Sequence, residues 1–99
     1  MTHYLYKITN LKSDMYYIGV RSCQGSSSDD LGKNYFSSSL NKQFISEQKV
    51  YPNNFKYEVI HEYITRKEAN EAEYRLHKEL DVAHDDTSYN RANGNYNWS

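Results

Sequence analysis

The sequence predicts a small α+β domain, in which an N-terminal hairpin plus a third strand form a three-stranded antiparallel sheet flanked by helices. Two aromatic and β-branched runs around a short turn segment predict the hairpin, and a later alternating run predicts the third strand. Two stretches with apolar residues at helical spacing predict the helices. The 99 residues suffice for one core, so we expect a single domain over residues 1–99, with its core at about 3–94 and a polar tail at 95–99.

Composition and charge exclude several classes of protein. Mean hydropathy is −1.00, but 11 Tyr, 3 Phe and 1 Trp supply apolar area for an aromatic core. A net charge of −1 is not that of a protein that holds DNA by bulk electrostatics, so nucleic-acid binding would need a local patch. The single cysteine, Cys23, permits no internal disulfide and suits a reducing compartment. No apolar run approaches the roughly 20 residues of a membrane span, so we expect a cytoplasmic protein without membrane contact.

The hairpin is predicted from residues 4–9 and 15–20, which flank a turn-forming segment at residues 10–14. Residues 22–33, rich in Ser, Gly and Asp, predict a surface loop after the second strand. The sheet should therefore begin near the N-terminus and be followed by a long connection.

Strand alternation assigns the aromatic residues of the hairpin to faces. Tyr4 and Tyr6 share one face of the first strand, and Tyr17 and Gly19 share one face of the second. Arg21 stands at the end of the second strand and would project from the same face as Tyr17 and Gly19. A small hairpin rarely needs so many phenols, so this face is a candidate site.

A helix and a strand are predicted next. Residues 35–49 carry apolar side chains at helical spacing, with Lys42 and Lys49 on the solvent side; the apolar positions are Phe36, Leu40, Phe44 and Ile45. Residues 55–64 alternate as a strand that adds to the hairpin sheet. The residues expected on one face of that strand are Phe55, Tyr57, Val59, His61 and Tyr63.

A capping motif predicts the start of the second helix. Thr65 and Glu68 form a capping box, in which each side chain bonds backbone amides that the helix leaves free. The apolar stripe that follows consists of Ala69, Ala72, Leu76 and Leu80. Residues 81–88 predict a polar loop, and residues 89–94 a short docked segment.

Glu73 lies inside this apolar stripe. At about 100° per residue, it falls within about 60° of Ala69, Leu76 and Leu80, so its carboxylate faces the sheet. A buried, unpaired carboxylate costs several kcal/mol, so Glu73 must find a cation, a metal or strong donors. The alternative is a Glu at the edge of the stripe, which reaches water or pairs with a neighbouring Arg or Lys.

The histidines carry weaker signals. His77 has a spacing from Glu73 that suits a metal, but its angle of about 90° from the stripe predicts a solvent-facing side chain. His61 shares the predicted strand face of Tyr57 and Val59, where it would assist a tyrosine as proton acceptor or bind phosphate. We expect solvated side chains for His3 and His84.

The order of these motifs resembles that of the GIY-YIG nucleases. Tyr-Leu-Tyr at residues 4–6, then ten residues, then Tyr-Ile-Gly at residues 17–19 is similar to the paired signature of the family, with Tyr-Leu-Tyr in place of Gly-Ile-Tyr. Residues 73–80, EYRLHKEL, are similar to the family helix that carries a metal-binding Glu. Asn90 stands where the family places an Asn that braces the site. The resemblance covers residues 4–94.

The resemblance implies a metal-dependent DNA endonuclease of the phage or homing type, which hydrolyses phosphodiester bonds in the host cytoplasm if it is phage-encoded. Glu73 would bind one Mg²⁺ or Mn²⁺, and Asn90 would brace the site. Tyr6 would be the general base and Tyr17 its partner, although the two roles are exchangeable. The secondary site candidates are Tyr4, Gly19, His61 and Lys33.

The phosphate contact departs from the family pattern. The family has an Arg on the first helix, whereas this sequence has none between Ser22 and Tyr35 or in the helix predicted next. We expect Arg21 to replace it, with Lys33 or Lys42 as alternatives. Arg21 or Lys7 would also lower the pKa of the catalytic phenol.

Other interpretations stay open at this point. Tyr6 and Tyr17 would equally suit aromatic packing across the hairpin. A catalytically silent GIY-YIG fold that binds nucleic acid or protein is one alternative to the enzyme. An unrelated small α/β interaction domain, with Tyr6, Tyr17 and Glu73 far apart, is another. For the enzyme, one site predicts nicking, and double-strand cutting or target choice would need a homodimer or a specificity-conferring partner protein.

Overall fold

The computed structural model describes residues 2–23, 31–33, 35–37, 41–81 and 88. The chain forms two strands, a helix, a third strand and a second helix: β1 (Thr2–Asn10), β2 (Tyr16–Cys23), α1 (Lys42–Val50), β3 (Phe55–Tyr63) and α2 (Arg66–Leu80). A 3-10 turn, Pro52–Asn54, leads into β3. The sheet order is β2-β1-β3, with both pairings antiparallel. The predicted α+β class is thus confirmed.

The hairpin turn is held by the Asn10 side chain. Its carboxamide oxygen accepts backbone N–H bonds from Lys12 at 3.0 Å and Ser13 at 3.4 Å. Asp14 has a left-handed φ of 60°, a conformation that Asp tolerates better than most residues. Strand β2 extends past the predicted residue 20 to Cys23, which places Arg21 inside the strand.

Strand alternation divides the sheet into two faces with separate cores. The tyrosine face consists of Tyr4, Tyr6 and Ile8 of β1 and their paired residues Arg21, Gly19 and Tyr17 of β2. The opposite face, called the helix face below because α2 covers it, carries Leu5 of β1 with Ile18 and Val20 of β2. Because β1 is the central strand, its side chains feed both cores, and Tyr4, Tyr6 and Ile8 are all fully buried.

Helix α1 covers the tyrosine face. Phe44 packs in its core with Leu31 and Phe55. The predicted helix at residues 35–49 is wrong at its start, since α1 begins at Lys42. The reason is local: the Asn41 side chain accepts the Phe44 N–H at 3.1 Å and caps the helix there. Lys42 and Lys49 are exposed, as predicted.

A buried amide ties α1 to β3. Gln48 is fully buried on α1 and accepts a hydrogen bond from the Tyr57 hydroxyl at 3.1 Å. Its amide nitrogen donates to the Phe36 carbonyl at 3.0 Å. Burial raises the pKa of the Tyr57 phenol to about 12, so this hydroxyl stays a hydrogen-bond donor. Both ends of the Gln48 side chain are therefore paired, as a buried polar group requires.

Helix α2 covers the opposite, helix face. Thr65 caps it by accepting the Glu68 N–H at 3.2 Å, which confirms the predicted start. The return bond differs from the standard capping box, because the Thr65 hydroxyl donates to the Glu68 carboxylate at 3.0 Å. Ala69 is fully buried, but Leu80 is 43% exposed, so the apolar stripe ends earlier than predicted. Within the described ranges, no helix is long and apolar enough to cross a bilayer.

A β-bulge changes the face assignment of β3. Leu5 pairs with His61 and Tyr6 pairs with Val59, so one extra residue of β3 lies between the two pairs. His61 therefore lies on the helix face, while Tyr57 and Val59 lie on the tyrosine face. The prediction that His61 shares their face is wrong, because strict alternation does not anticipate a bulge. The His61 side chain is exposed, with its ring 4.7 Å from that of Tyr63.

Replacing Phe44 tests the placement of α1. Phe44→Ala should lower the free energy of unfolding by about 3–5 kcal/mol, because it removes a buried ring from the tyrosine-face core. Val50→Ala on the same helix should cost under about 1 kcal/mol, because Val50 is 62% exposed. Urea denaturation followed by circular dichroism measures both values. Equal costs for the two variants would contradict the placement.

Candidate functional site

Tyr6 is the centre of a cluster of four tyrosines, called the tyrosine cluster below. Its ring stacks on Tyr17 at 6.1 Å with an interplanar angle of 29°. It meets Tyr4 edge-on at 6.0 Å and Tyr35 edge-on at 5.6 Å. Offset and edge-on pairs are the geometries that aromatic quadrupoles favour. The two tyrosines predicted for the site therefore contact each other directly.

Gly19 allows the Tyr6 hydroxyl to lie against the backbone of β2. A Cβ at this position would come within 2.5 Å of Tyr6 Oη and 2.8 Å of Tyr6 Cζ. It would also lie 2.9 Å from Tyr17 Cε1. A side chain at position 19 would therefore displace the side chains of Tyr6 and Tyr17, and the hydroxyl of Tyr6 reaches β2 beside the Gly19 backbone.

Arg21 joins the cluster through Tyr35. The Arg21 guanidinium carbon lies 4.3 Å from the centre of the Tyr35 ring, in a cation–π contact. The Tyr35 hydroxyl lies 3.1 Å from that of Tyr6. Tyr35 was not predicted as a site residue. Its place depends on the fold of the segment around it, for which the sequence offers only the preceding Gly-Lys turn signal.

Glu73 approaches the site from the other side of the sheet. The expectation that α2 covers the face of Tyr6 and Tyr17 is wrong, because the apolar stripe of α2 packs on Leu5 and its neighbours on the helix face. Glu73 is only 8% exposed, as its stripe position predicted. Its carboxylate accepts the backbone N–H of Val20 on β2, which is an edge strand.

The Val20 amide brings Glu73 close to the tyrosine cluster. This N–H belongs to the peptide that joins Gly19 to Val20, and the Tyr6 hydroxyl lies against Gly19. Glu73 and Tyr6 therefore contact the same short stretch of β2, one from its edge and one from its face. The side chain of Arg21 begins one residue further along.

Burial controls the ionisation of Glu73. It raises the pKa of this carboxyl from 4.5 to about 7, although the Arg66 charge and the Val20 N–H both favour the ionised form. Arg66 is itself fixed, since its guanidinium donates to Ser22 Oγ at 2.7 Å and to Asn70 Oδ1 at 3.0 Å. The carboxyl is thus poised to change its charge near neutral pH.

His3 also belongs to the polar group around Arg66. Its Nδ1 lies 2.7 Å from Ser22 Oγ, and since this oxygen accepts from Arg66, its hydroxyl proton is available for His3. His3 was expected to be solvated, but it is half-buried and hydrogen-bonded. This group lies where the start of β1 meets the end of β2.

His77 was predicted to face solvent, and this prediction is wrong. It is 4% exposed, and its Nε2–H donates to the Ile18 carbonyl at 2.9 Å, since a carbonyl can only accept. This hydrogen bond to the backbone of β2 accounts for the inward orientation of His77. Burial lowers the pKa of His77, so the ring is neutral, and its buried Nδ1 has no hydrogen-bond partner among the described residues.

The donor set around Glu73 suits one kind of metal. Within the described ranges, no three His, Cys, Asp or Glu side chains group as metal ligands. A structural or catalytic zinc site needs three or four protein ligands, which the described residues do not bring together around Glu73. Mg²⁺ and Mn²⁺ are commonly held by one or two carboxylates plus water and substrate phosphate, which fits a lone buried carboxylate.

The remaining predicted site residues lie apart from the tyrosine cluster or outside the described residues. Lys33 and Lys42 have exposed side chains. His61 lies on the helix face and does not join the tyrosine cluster. Asn90 and His84 lie outside the described residues, and the side chain of Cys23 is also outside the description.

No protein-family model matches the chain, and neither a curated protein nor a solved structure matches it. The resemblance to the GIY-YIG nucleases therefore stays a prediction based on the motif residues. The geometry adds that Tyr6 and Glu73 both reach the stretch of β2 that carries Arg21.

The pKa of Glu73 predicts a pH-dependent stability. Because its folded pKa of about 7 exceeds the ordinary 4.5, the folded state holds a proton that the unfolded state loses between these values. The stabilisation that the protonated Glu73 gives to the folded state is complete below pH 4.5 and is lost as the pH rises to 7. Glu73→Gln cannot ionise but keeps an acceptor for the Val20 N–H. Its free energy of unfolding relative to wild type should therefore rise by about 3 kcal/mol between pH 4.5 and 8.

Urea denaturation of metal-free protein across this pH range measures the difference. His77, whose pKa is lowered, destabilises both proteins as the pH falls below its ordinary 6.5, so subtracting the two curves isolates Glu73. A difference that does not change with pH would contradict the burial of the Glu73 carboxyl.

Proposed function

We propose that this chain is a divalent-metal-dependent DNA endonuclease of the phage or homing type, which hydrolyses phosphodiester bonds. The observation that carries the proposal is that a phenol, a carboxylate and a guanidinium all lie at residues 19–21 of β2, the carboxylate on the side of α2 and the other two on the tyrosine face. Tyr6 approaches over Gly19, Glu73 accepts the Val20 N–H, and Arg21 follows directly. A purely structural core rarely places these three groups along three consecutive residues of one strand.

Arg21 is the candidate for the phosphate contact. A guanidinium presents a planar fork of donors that matches phosphate oxygens and stabilises negative charge as it develops. Arg21 lies on the same face as the tyrosines, which supports its replacement of the family's helix Arg. Lys7 does not share this face, since its ammonium lies 5.0 Å from the ring of Tyr16 in the helix-face core.

Tyr6 and Tyr17 are the candidates for activating the attacking water. Ionising a phenol of ordinary pKa near 10 costs about 4 kcal/mol at pH 7, so a catalytic phenol needs a nearby cation such as Arg21. Tyr6 is fully buried, whereas Tyr17 is half-buried. This burial favours Tyr17 as the group that meets the attacking water and Tyr6 as its partner, which exchanges the roles first assigned to them.

Glu73 would hold one Mg²⁺ or Mn²⁺ in this scheme. The bound ion supplies Lewis acidity, which neutralises charge on the phosphate and on the leaving 3′ oxygen. A nearby cation favours the ionised carboxyl, which offsets the effect of burial on the Glu73 pKa. The hydrogen bond from Val20 orients the carboxylate on its other side.

One site per chain implies that a monomer nicks a single strand. Double-strand cutting would follow from a homodimer or from two successive nicks. With a net charge of −1, non-specific affinity should be weak and salt-sensitive, in the range of about 10⁻⁴ to 10⁻⁶ M. Target choice would then depend on dimerisation or on a partner protein that supplies specificity.

A catalytically silent fold that binds nucleic acid or protein is the second candidate. The complete burial of Tyr6 favours it, because a buried hydroxyl cannot meet an attacking water without a local rearrangement. This candidate keeps the tyrosine cluster as packing and Arg21 as a binding residue. Metal-dependent nicking separates the two functions.

Plasmid nicking tests the proposal. Wild-type protein with Mg²⁺ or Mn²⁺ should convert supercoiled plasmid to the open circle, and a chelator should abolish the conversion. Glu73→Gln and Arg21→Ala should each slow nicking by about 10²-fold or more, because each removes a group that acts on transition-state charge. Glu58→Gln, which removes a partly exposed carboxylate of β3, is the matched control and should nick normally.

The outcomes are distinct. Equal nicking by Glu73→Gln and wild type would mean that Glu73 is not the metal ligand. No nicking by folded wild-type protein, over a range of DNAs and both metals, would replace the enzyme with the binding module.

A further inference from the structure

We propose that Tyr35 is a positioning residue for the proposed active site, which fixes the hydroxyl of Tyr6 with its own hydroxyl and the guanidinium of Arg21 with its ring. This role rests on the proposed function. It assigns a task to a residue outside the motif positions, in the connection between β2 and α1.

The backbone of Tyr35 is anchored to the core. Leu31 and Tyr35 form an isolated parallel bridge, and the Gly32 N–H donates to the Tyr35 carbonyl at 2.8 Å. Leu31 is buried in the tyrosine-face core. Gly32 has a left-handed φ of 79° and packs on Tyr57, whose ring would lie 2.8 Å from a Cβ at position 32. Tyr35 is thus held by a closed turn with a buried end.

The hydroxyl of Tyr35 acts on Tyr6. The two hydroxyl oxygens lie 3.1 Å apart, either hydroxyl can be the donor, and the two rings meet edge-on at 86°. Tyr6 is fully buried, so this bond restrains a phenol that must also fit beside Gly19. Without it, the hydroxyl of Tyr6 would lose a partner that sets its orientation.

The ring of Tyr35 acts on Arg21. The guanidinium carbon of Arg21 lies 4.3 Å from the centre of the Tyr35 ring, and this close cation–π contact holds the guanidinium above the ring plane. An arginine side chain has several rotatable bonds, and ordering it in advance spares that entropy when phosphate binds. One residue therefore orders both the candidate phosphate contact and a phenol of the site.

Two substitutions separate the two roles. Tyr35→Phe removes the hydroxyl and keeps the ring, while Tyr35→Leu removes both. Tyr35→Phe should lower kcat for nicking about tenfold with KM unchanged, because only Tyr6 is released. Tyr35→Leu should lower kcat at least as much and also raise KM several-fold, because the Arg21 guanidinium loses its contact with the Tyr35 ring. Tyr63→Phe, a partly buried tyrosine of the helix-face core, is the matched control and should change neither value.

A second measurement does not depend on activity. In ¹H–¹⁵N spectra of metal-free protein, the Arg21 Nε–H should carry a ring-current shift that Tyr35→Phe keeps and Tyr35→Leu abolishes. The Tyr6 ¹³Cζ resonance should move in Tyr35→Phe and stay in Tyr63→Phe. Tyr35→Phe changes no packing volume in the core, so it keeps the test valid should Tyr35→Leu fail to fold.

The two proposals fail in different ways. If wild type nicks plasmid and both Tyr35 variants behave like Tyr63→Phe, the role of Tyr35 is overturned and the nuclease stands. An Arg21 resonance that Tyr35→Leu does not shift also overturns the role of Tyr35. If folded wild type does not nick, the proposed function fails and the catalytic role of Tyr35 fails with it.

Discussion

A side chain at position 19 would displace the hydroxyl of Tyr6 from its place, because the closest atoms would lie 2.5 Å apart. This close approach sets the geometry of the tyrosine face. It directs the ring of Tyr6 across β2, where Tyr17 stacks on one side and Tyr35 meets it edge-on. The Gly19–Val20 peptide is then flanked by the phenol on the face and by the Glu73 carboxylate at the edge.

The edge of β2 explains why polar residues occur in the buried stripe of α2. An edge strand leaves backbone amides and carbonyls unpaired, and burying them without partners is costly. His77 supplies a donor to the Ile18 carbonyl and Glu73 supplies an acceptor to the Val20 N–H. Glu73 therefore pairs a backbone amide of the edge strand at the same point where it would serve the chemistry, and burial there raises the pKa of its carboxyl.

The strongest local signals predicted the fold well. The turn after β1, the third strand and the Thr65 cap follow from patterns confined to a few residues, and all three are present. The start of α1 was missed because Asn41 captures the Phe44 N–H and overrides the apolar spacing. Likewise, a bulge opposite Leu5 and Tyr6 turned His61 to the other face.

The site was less predictable because it depends on tertiary contacts. The burial of Glu73 and the facing positions of Tyr6 and Arg21 followed from periodicity. Periodicity could not predict which sheet face α2 covers, because the apolar stripe of α2 could pack on either face. Tyr35 gave no periodic signal, because its position depends on a turn that the buried Leu31 anchors.

The most direct test of the central claim is to locate the metal. Mn²⁺ titrated into ¹⁵N-labelled protein broadens amide resonances near the bound ion. The account predicts saturable broadening that is strongest at the amides of residues 19–21 and lost in Glu73→Gln, together with perturbation of the Tyr6 ring. Broadening centred on another part of the chain, or broadening that Glu73→Gln leaves unchanged, would contradict a metal-binding site at the edge of β2.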